Sequence, residues 1–220
     1  MIVAVAAGKG GVGKSTTALN LAATCDGVVV DADLGMANLP GERGPDLHDV
    51  LADRADPVEA IDETGPVDVL PCGRSLAGAR AADPRRLTDA LAAVERAYDP
   101  VVVDCPAGLS ADAGMPLLAA DACVLVTTPD AVALPDVLRT RALARELDAG
   151  VAAAALNRAG PDPPVERVRR ALGAPVVTVP DSERVAGAQA SGVPVRAVAP
   201  DAAATAAYRE LAAELPESPR

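Results

Sequence analysis

Seven short stretches of the chain are apolar almost position by position: "IVAVAAG", "GVVVDAD", "VDVLPCG", "PVVVDCPAG", "ACVLVTTPD", "VAAAALNR" and "APVVTVPD". Each breaks at Gly, Asp, Asn or Pro. Runs this short without polar alternation read as strands buried on both faces. Between them apolar residues recur at helical spacing. In "ADPRRLTDALAAVERAY", Asp83 is a natural N-cap, Pro84 fits the first helical position, and Leu87, Leu91, Val94 and Tyr98 share one face. The same reasoning predicts helices from Lys14 to Cys25, Leu134 to Leu147 with a cap near Asp136, Val165 to Leu172, Ser182 to Ser191, and Ala202 to Leu215. Strand and helix alternate, so right-handed crossovers predict an α/β fold: a doubly wound, mainly parallel sheet of about seven strands with helices on both faces. Its ligand belongs at the carboxyl ends of the strands. At 220 residues one domain is expected, covering residues 1–215, with 216–220 in "PESPR" as a flexible tail.

Composition sets the texture of that core. Half of the residues are hydrophobic, mostly Ala, Val and Leu, with no Phe, no Trp and only Tyr98 and Tyr208. Small aliphatic layers of this kind suit helices packed on a parallel sheet. A formal charge of -11 and a pI near 4.5 argue against a broadly basic surface, so DNA binding is not expected. Scarce lysine with abundant Asp and Glu suggests a salt-adapted, halophilic cytoplasm, although a GC-rich genome would also turn Lys into Arg. Cys25, Cys72, Cys105 and Cys123 form no C-x-x-C pair and follow no leader, which points to a cytoplasmic protein with reduced thiols. No apolar run reaches the roughly 18 residues of a membrane span.

The chain has two lysines, Lys9 and Lys14, both in "AAGKGGVGKSTT". Gly8, four residues, then Gly13-Lys14-Ser15 is the P-loop pattern, set between a buried strand and a helix. Gly8, Gly10, Gly11, Val12 and Gly13 would fold a nest of N–H groups around phosphate oxygens, with Thr16 in the first helical turn and the positive helix end behind it. Lys14 would reach the β and γ phosphates of ATP, and Ser15 would give its hydroxyl to Mg²⁺. An ammonium suits this position, being a compact point charge on a slim stem, whereas a guanidinium imposes fork geometry. Asp104, closing the strand "VVVD", stands where a Walker B acid would hold Mg²⁺ through water.

"KGGVGKST" resembles the deviant Walker A motif of the MinD/ParA family of P-loop ATPases, in which the first lysine is the signature. The resemblance runs from Ile2 to about Val195, and "DLHDVLADRADPVEAI" and "LPCGRSLAGARAADPRRL" are similar to archaeal MinD-like sequences in particular. It implies that ATP joins two copies as a homodimer, with Lys9 reaching the partner's phosphates and Lys14 its own. "VVVDADLGMANL" resembles switch I, which makes Asp33 the residue that positions the attacking water and Asp31 a metal-side partner. Gly108 in "PAG" matches switch II and would register the γ phosphate of ATP, as distinct from ADP. "TTPDAVALPD" aligns Asp136 with an acid near the dimer face. Asn157 and Arg158 of "LNR", with Pro180 and Asp181, match the two stretches that enclose adenine, Asn157 reading the base.

Two departures qualify the resemblance. MinD proteins end in a basic amphipathic helix that docks on lipid, whereas this chain ends in "YRELAAELPESPR", so direct membrane binding is not expected. The link between "MANL" and "DLHDVL" is only "PGERGP", short for a partner-binding extension. Among rival functions, a ParA-like DNA or cargo partitioning ATPase would need a basic track from Arg85 and Arg86, Arg139, Arg141 and Arg145, or Arg167, Arg169 and Arg170, all beside acids on predicted helices. An iron-sulfur ATPase is not expected, since Cys105 and Cys123 miss the motif positions. A non-hydrolysing scaffold stays open, as does the protein partner or activator that would read the switch.

Overall fold

All seven apolar runs form strands, and all join one parallel sheet: β1 (Ile2–Ala6), β2 (Val28–Asp31), β3 (Asp68–Leu70), β4 (Val101–Asp104), β5 (Ala122–Thr127), β6 (Gly150–Ala159) and β7 (Val176–Pro180), ordered β3-β2-β4-β1-β5-β6-β7. The computed structural model describes residues 1–35, 37–41, 44–109, 111–130 and 132–217. Of the expected tail, residues 218–220 lie outside the described residues. The helices are α1 (Lys14–Thr24), α2 (Leu47–Leu51), α3 (Leu76–Ala81), α4 (Leu87–Glu95), α5 (Ala111–Ala119), α6 (Ala133–Glu146), α7 (Val165–Leu172), α8 (Glu183–Ala190), α9 (Val195–Val198) and α10 (Ala203–Ala213).

Alternate residues of each strand serve opposite layers. Ala4, Val30, Val103, Leu125 and Leu156 pack with α2, α4, α6 and α7 through Leu47, Leu91, Val137 and Leu172. Val5, Val29, Val102, Val124 and Val177 pack with α1, α9 and α10 through Leu19, Val195, Tyr208 and Leu211. Doubly covered strands need no polar face, which is why their sequences run continuously apolar. Each buried methylene contributes about 0.8 kcal/mol, so a core of Ala and Val needs many participants. Tyr208 is the largest wholly buried side chain, set against α1 with its hydroxyl beside Thr17.

Two expected boundaries are corrected. The helix foreseen from Asp83 to Tyr98 begins as a 3₁₀ turn over Pro84–Arg86, capped by Asp83, and becomes α-helical only over Leu87–Glu95. Helix α6 is not capped near Asp136. It starts at Ala133, and Asp136 lies in its first turn, with its carbonyl accepting from Thr140 Oγ1 and its carboxylate paired with Arg139. Helices α2, α3, α5 and α9 were not anticipated. Among the described residues no helix is long and apolar enough to cross a membrane.

Candidate functional site

The carboxyl end of β1 runs into the glycine loop, and two glycines there are sterically required. At Gly8 a Cβ would collide with the backbone of Asp136 in α6. Gly13 is left-handed (φ 96°), and a Cβ there would strike the Asn157 side chain. By contrast, a Cβ added at Gly10 or Gly11 would meet no described atom within 4 Å. The loop is therefore tight below and open above, with the unspent N–H groups of α1 at its floor: a cradle that fits a chain of phosphates.

Lys14, the first residue of α1, is only 8% exposed and donates from Nζ to Asp104 Oδ1 at 2.6 Å. Asp104 ends β4 and pairs in register with Asp31, which ends β2. Both carboxylates are fully buried. Burial pushes the Asp104 carboxyl up, while Lys14 and the nearby Ser15 hydroxyl oppose the shift. Burial, then the Asp104 charge, raises Asp31 to about 7, against the pull of the N–H groups of Asn38 (2.7 Å), Leu39 (3.0 Å) and Asp33 (3.2 Å). Asp104 Oδ2 is buried without a hydrogen-bond partner among the described residues. Such an orphan costs about 1–3 kcal/mol. A hard cation at this oxygen, with the Ser15 hydroxyl and Asp31 close by, would relieve it, so the donor set fits Mg²⁺.

The remaining expected residues ring this centre. Asp33 is half-buried, and its Oδ2 accepts from Asn38 Nδ2 at 3.3 Å. Gly108 is left-handed (φ 94°) and donates its N–H to the Ala7 carbonyl at 3.1 Å, linking the turn after β4 to the exit of β1. Lys9 is 35% exposed and touches only exposed Asp130, at 4.0 Å, among the described ion pairs. Thr16 is half-buried one residue into the helix beyond Ser15, and its carbonyl accepts from Asn20.

At the end of β6, Asn157 Nδ2 donates to the Val12 carbonyl at 2.8 Å, which fixes the amide and leaves Oδ1 as its acceptor end. The β6–β7 register slips between Asn157 and Ala159, and Arg158 takes a left-handed conformation (φ 55°) with its side chain exposed. Pro180 pairs with Ala159, and the Asp181 N–H donates to the Ala159 carbonyl at 3.3 Å. Asn157 is thus brought onto the phosphate loop, while Pro180 and Asp181 stand one strand farther out. Asn38 was missed, because nothing in "GMAN" marks a residue that binds two aspartates from eight positions of chain. A cleft of about 870 Å³ lies elsewhere, between Leu19, the 59–67 loop and Gly192. Its acids Glu59, Asp62 and Glu63 would repel phosphate.

The site has counterparts in known proteins. A family model described as an AAA domain matches residues 1–146. An uncharacterized ATP-binding protein of Methanocaldococcus jannaschii is 35% identical over 229 aligned positions, covering 97% of this chain and 86% of the relative. The cell division ATPase MinD of Pyrococcus furiosus is similar in structure, with a TM-score of 0.90 at 30% identity over 97% of either chain. The septum site-determining protein MinD of Pyrococcus horikoshii, solved in complex with Mg-ADP, gives 0.90 at 29% identity over 98% of this chain and 96% of its own.

Proposed function

Because the chain belongs to the MinD/ParA family of deviant Walker A P-loop ATPases, we propose that it is an ATP-operated dimerisation switch. ATP with Mg²⁺ closes two copies face to face, slow hydrolysis parts them, and a protein partner reads the difference. In this reading the glycine loop and Lys14 bind the phosphates, Ser15, Asp31 and Asp104 hold Mg²⁺, Asp33 orients water, and Asn157, Arg158, Pro180 and Asp181 enclose adenine. Bound Mg²⁺ would neutralise phosphate charge. Lys14 would exchange its hold on Asp104 for the phosphates, and Gly108 would release Ala7 to offer its N–H to the γ phosphate.

The observation that carries the proposal is the division between the two lysines. Lys14 is interior and tied to Asp104, whereas Lys9 is at the surface with one loose, solvent-exposed ion pair among the described residues. An exposed pair of that kind holds a side chain weakly, so Lys9 is available to a second molecule. A role in cell-division-type spatial regulation or intracellular positioning is supported by the Pyrococcus furiosus relative, a cell division ATPase. DNA partitioning is less well supported, since Arg85, Arg86, Arg139 and Arg169 each hold an acid. Direct membrane docking is opposed by α10, whose apolar residues Ala204, Ala207, Tyr208 and Leu211 are spent inside the fold.

Size-exclusion chromatography with light scattering, in ADP and in a slowly hydrolysed ATP analogue, tests the switch. Lys14→Ala should abolish nucleotide binding, Lys9→Ala should bind but stay monomeric, and Asp33→Ala should remain dimeric in ATP. A parent chain that binds no adenine nucleotide with Mg²⁺, or stays monomeric at saturation, overturns the proposal.

A further inference from the structure

The chain's single histidine belongs to none of the nucleotide motifs, yet it is 3% exposed and lies directly behind Asp33. His48 Nε2 is 3.1 Å from the Leu34 carbonyl oxygen, to which a neutral ring protonated at Nε2 donates. Cys72, just past β3, donates its thiol to the Asp33 carbonyl at 3.1 Å, and its Sγ lies 3.6 Å from His48 Nε2. The two residues also hold each other, since the His48 backbone N–H donates to the Cys72 carbonyl at 3.1 Å. On the other side, the Asp33 N–H is fixed by Asp31 Oδ1. Two consecutive carbonyls and one N–H around Asp33 are therefore anchored from β2, α2 and the exit of β3.

We infer that His48 and Cys72 are positioning residues for ATP hydrolysis, clamping the Asp33 and Leu34 carbonyls so that the Asp33 carboxylate meets the attacking water in one orientation. The inference rests on the role given to Asp33 above. The surroundings are shaped to this ring: a Cβ at Gly73 would come within 2.5 Å of His48 Nδ1, and one at Gly78 within 3.2 Å. Nδ1 itself is buried without a hydrogen-bond partner among the described residues. That desolvation is uncompensated, and a leucine would fill the volume without it, so packing alone does not explain a histidine here. Burial, aided by the charges of Asp31, Asp33 and Asp46, pushes the Cys72 thiol to about 12, which keeps it protonated as a donor.

Catalytic side chains need placement within about 0.5 Å. Neither residue touches the phosphate loop in the contacts above, so loosening the clamp acts on turnover and leaves nucleotide affinity intact.

The test is steady-state Mg-ATP hydrolysis by the full chain, with ADP affinity measured on each variant to confirm a folded site. His48→Leu and Cys72→Val should lower kcat about tenfold or more, with KM and ADP affinity within about twofold of the parent. His48→Gln and Cys72→Ser, which restore a donor, should recover most of the rate. Parental turnover in His48→Leu and Cys72→Val, equal losses in the donor-restoring variants, or a loss expressed as weaker ADP binding would each overturn the clamp. If the parent hydrolyses ATP and Asp33→Ala does not, such results sink the clamp alone. Should the parent fail to hydrolyse ATP, the proposed function falls together with it.

Discussion

Asp31 organises the loop after β2 by accepting three backbone N–H groups, and it does so while buried beside a second carboxylate. In the unfolded chain it ionises near 3.8, and in the fold near 7, so between those values the folded form holds the extra proton. The stability this supplies is complete below about pH 4 and is lost as pH rises through about 7. Thermal melts without nucleotide should therefore show a higher midpoint for the parent at pH 5 than at pH 8. Asp31→Asn should flatten that difference; an unchanged slope would show that Asp31 is not its source. That Lys14, Ser15 and Asp104 lie together was legible from the spacing of the P-loop pattern and the strand end. The direct Lys14–Asp104 contact was not, because a motif names its members without saying which touch. His48 and Cys72 left no trace either, as the contacts that tie them to Leu34 and Asp33 are to main chain, which carries no sequence signal.

The strands were legible throughout because continuous apolar runs survive any detail of packing. Helices α2 and α3, of five and six residues, are too short to display a period, and α5 contains Pro116, which argues against a helix on local grounds. The join between the phosphate loop and β6 shows how elements share one constraint. A left-handed Gly13 admits the Asn157 amide, and the β6 bulge at Arg158 directs that amide to Val12. Gly13→Ala should cost about 1–2 kcal/mol for the backbone conformation, and more for displacing Asn157. In a chain of this size each kcal/mol lowers the melting midpoint by about 2–4 °C. Gly10→Ala, where a Cβ meets open space, should melt like the parent. Equal melting of the two variants would mean that the contact between loop and strand bears no strain.

Across the molecule the dominant quantity is charge. Each copy carries -11, so bringing two together works against long-range repulsion. At 1 M salt the screening length falls to about 3 Å, against about 10 Å at 0.1 M. Raising KCl should accordingly strengthen the proposed ATP-dependent dimer in light-scattering titrations. Association with DNA would respond in the opposite direction, so a dimer weakened by salt would count against an acidic face-to-face assembly. The doubly wound topology was foreseeable from strand–helix alternation; the assignment of helices to the two layers was not, since it depends on crossovers that no local window contains.

A core made almost without aromatic rings also leaves the protein optically quiet. No tryptophan masks the tyrosines, and Tyr208 is sealed against the very helix that begins with Lys14. In a Tyr98→Phe chain, where Tyr208 is the one emitter left, its fluorescence should therefore shift when a ligand draws on the first turn of that helix, with no label added.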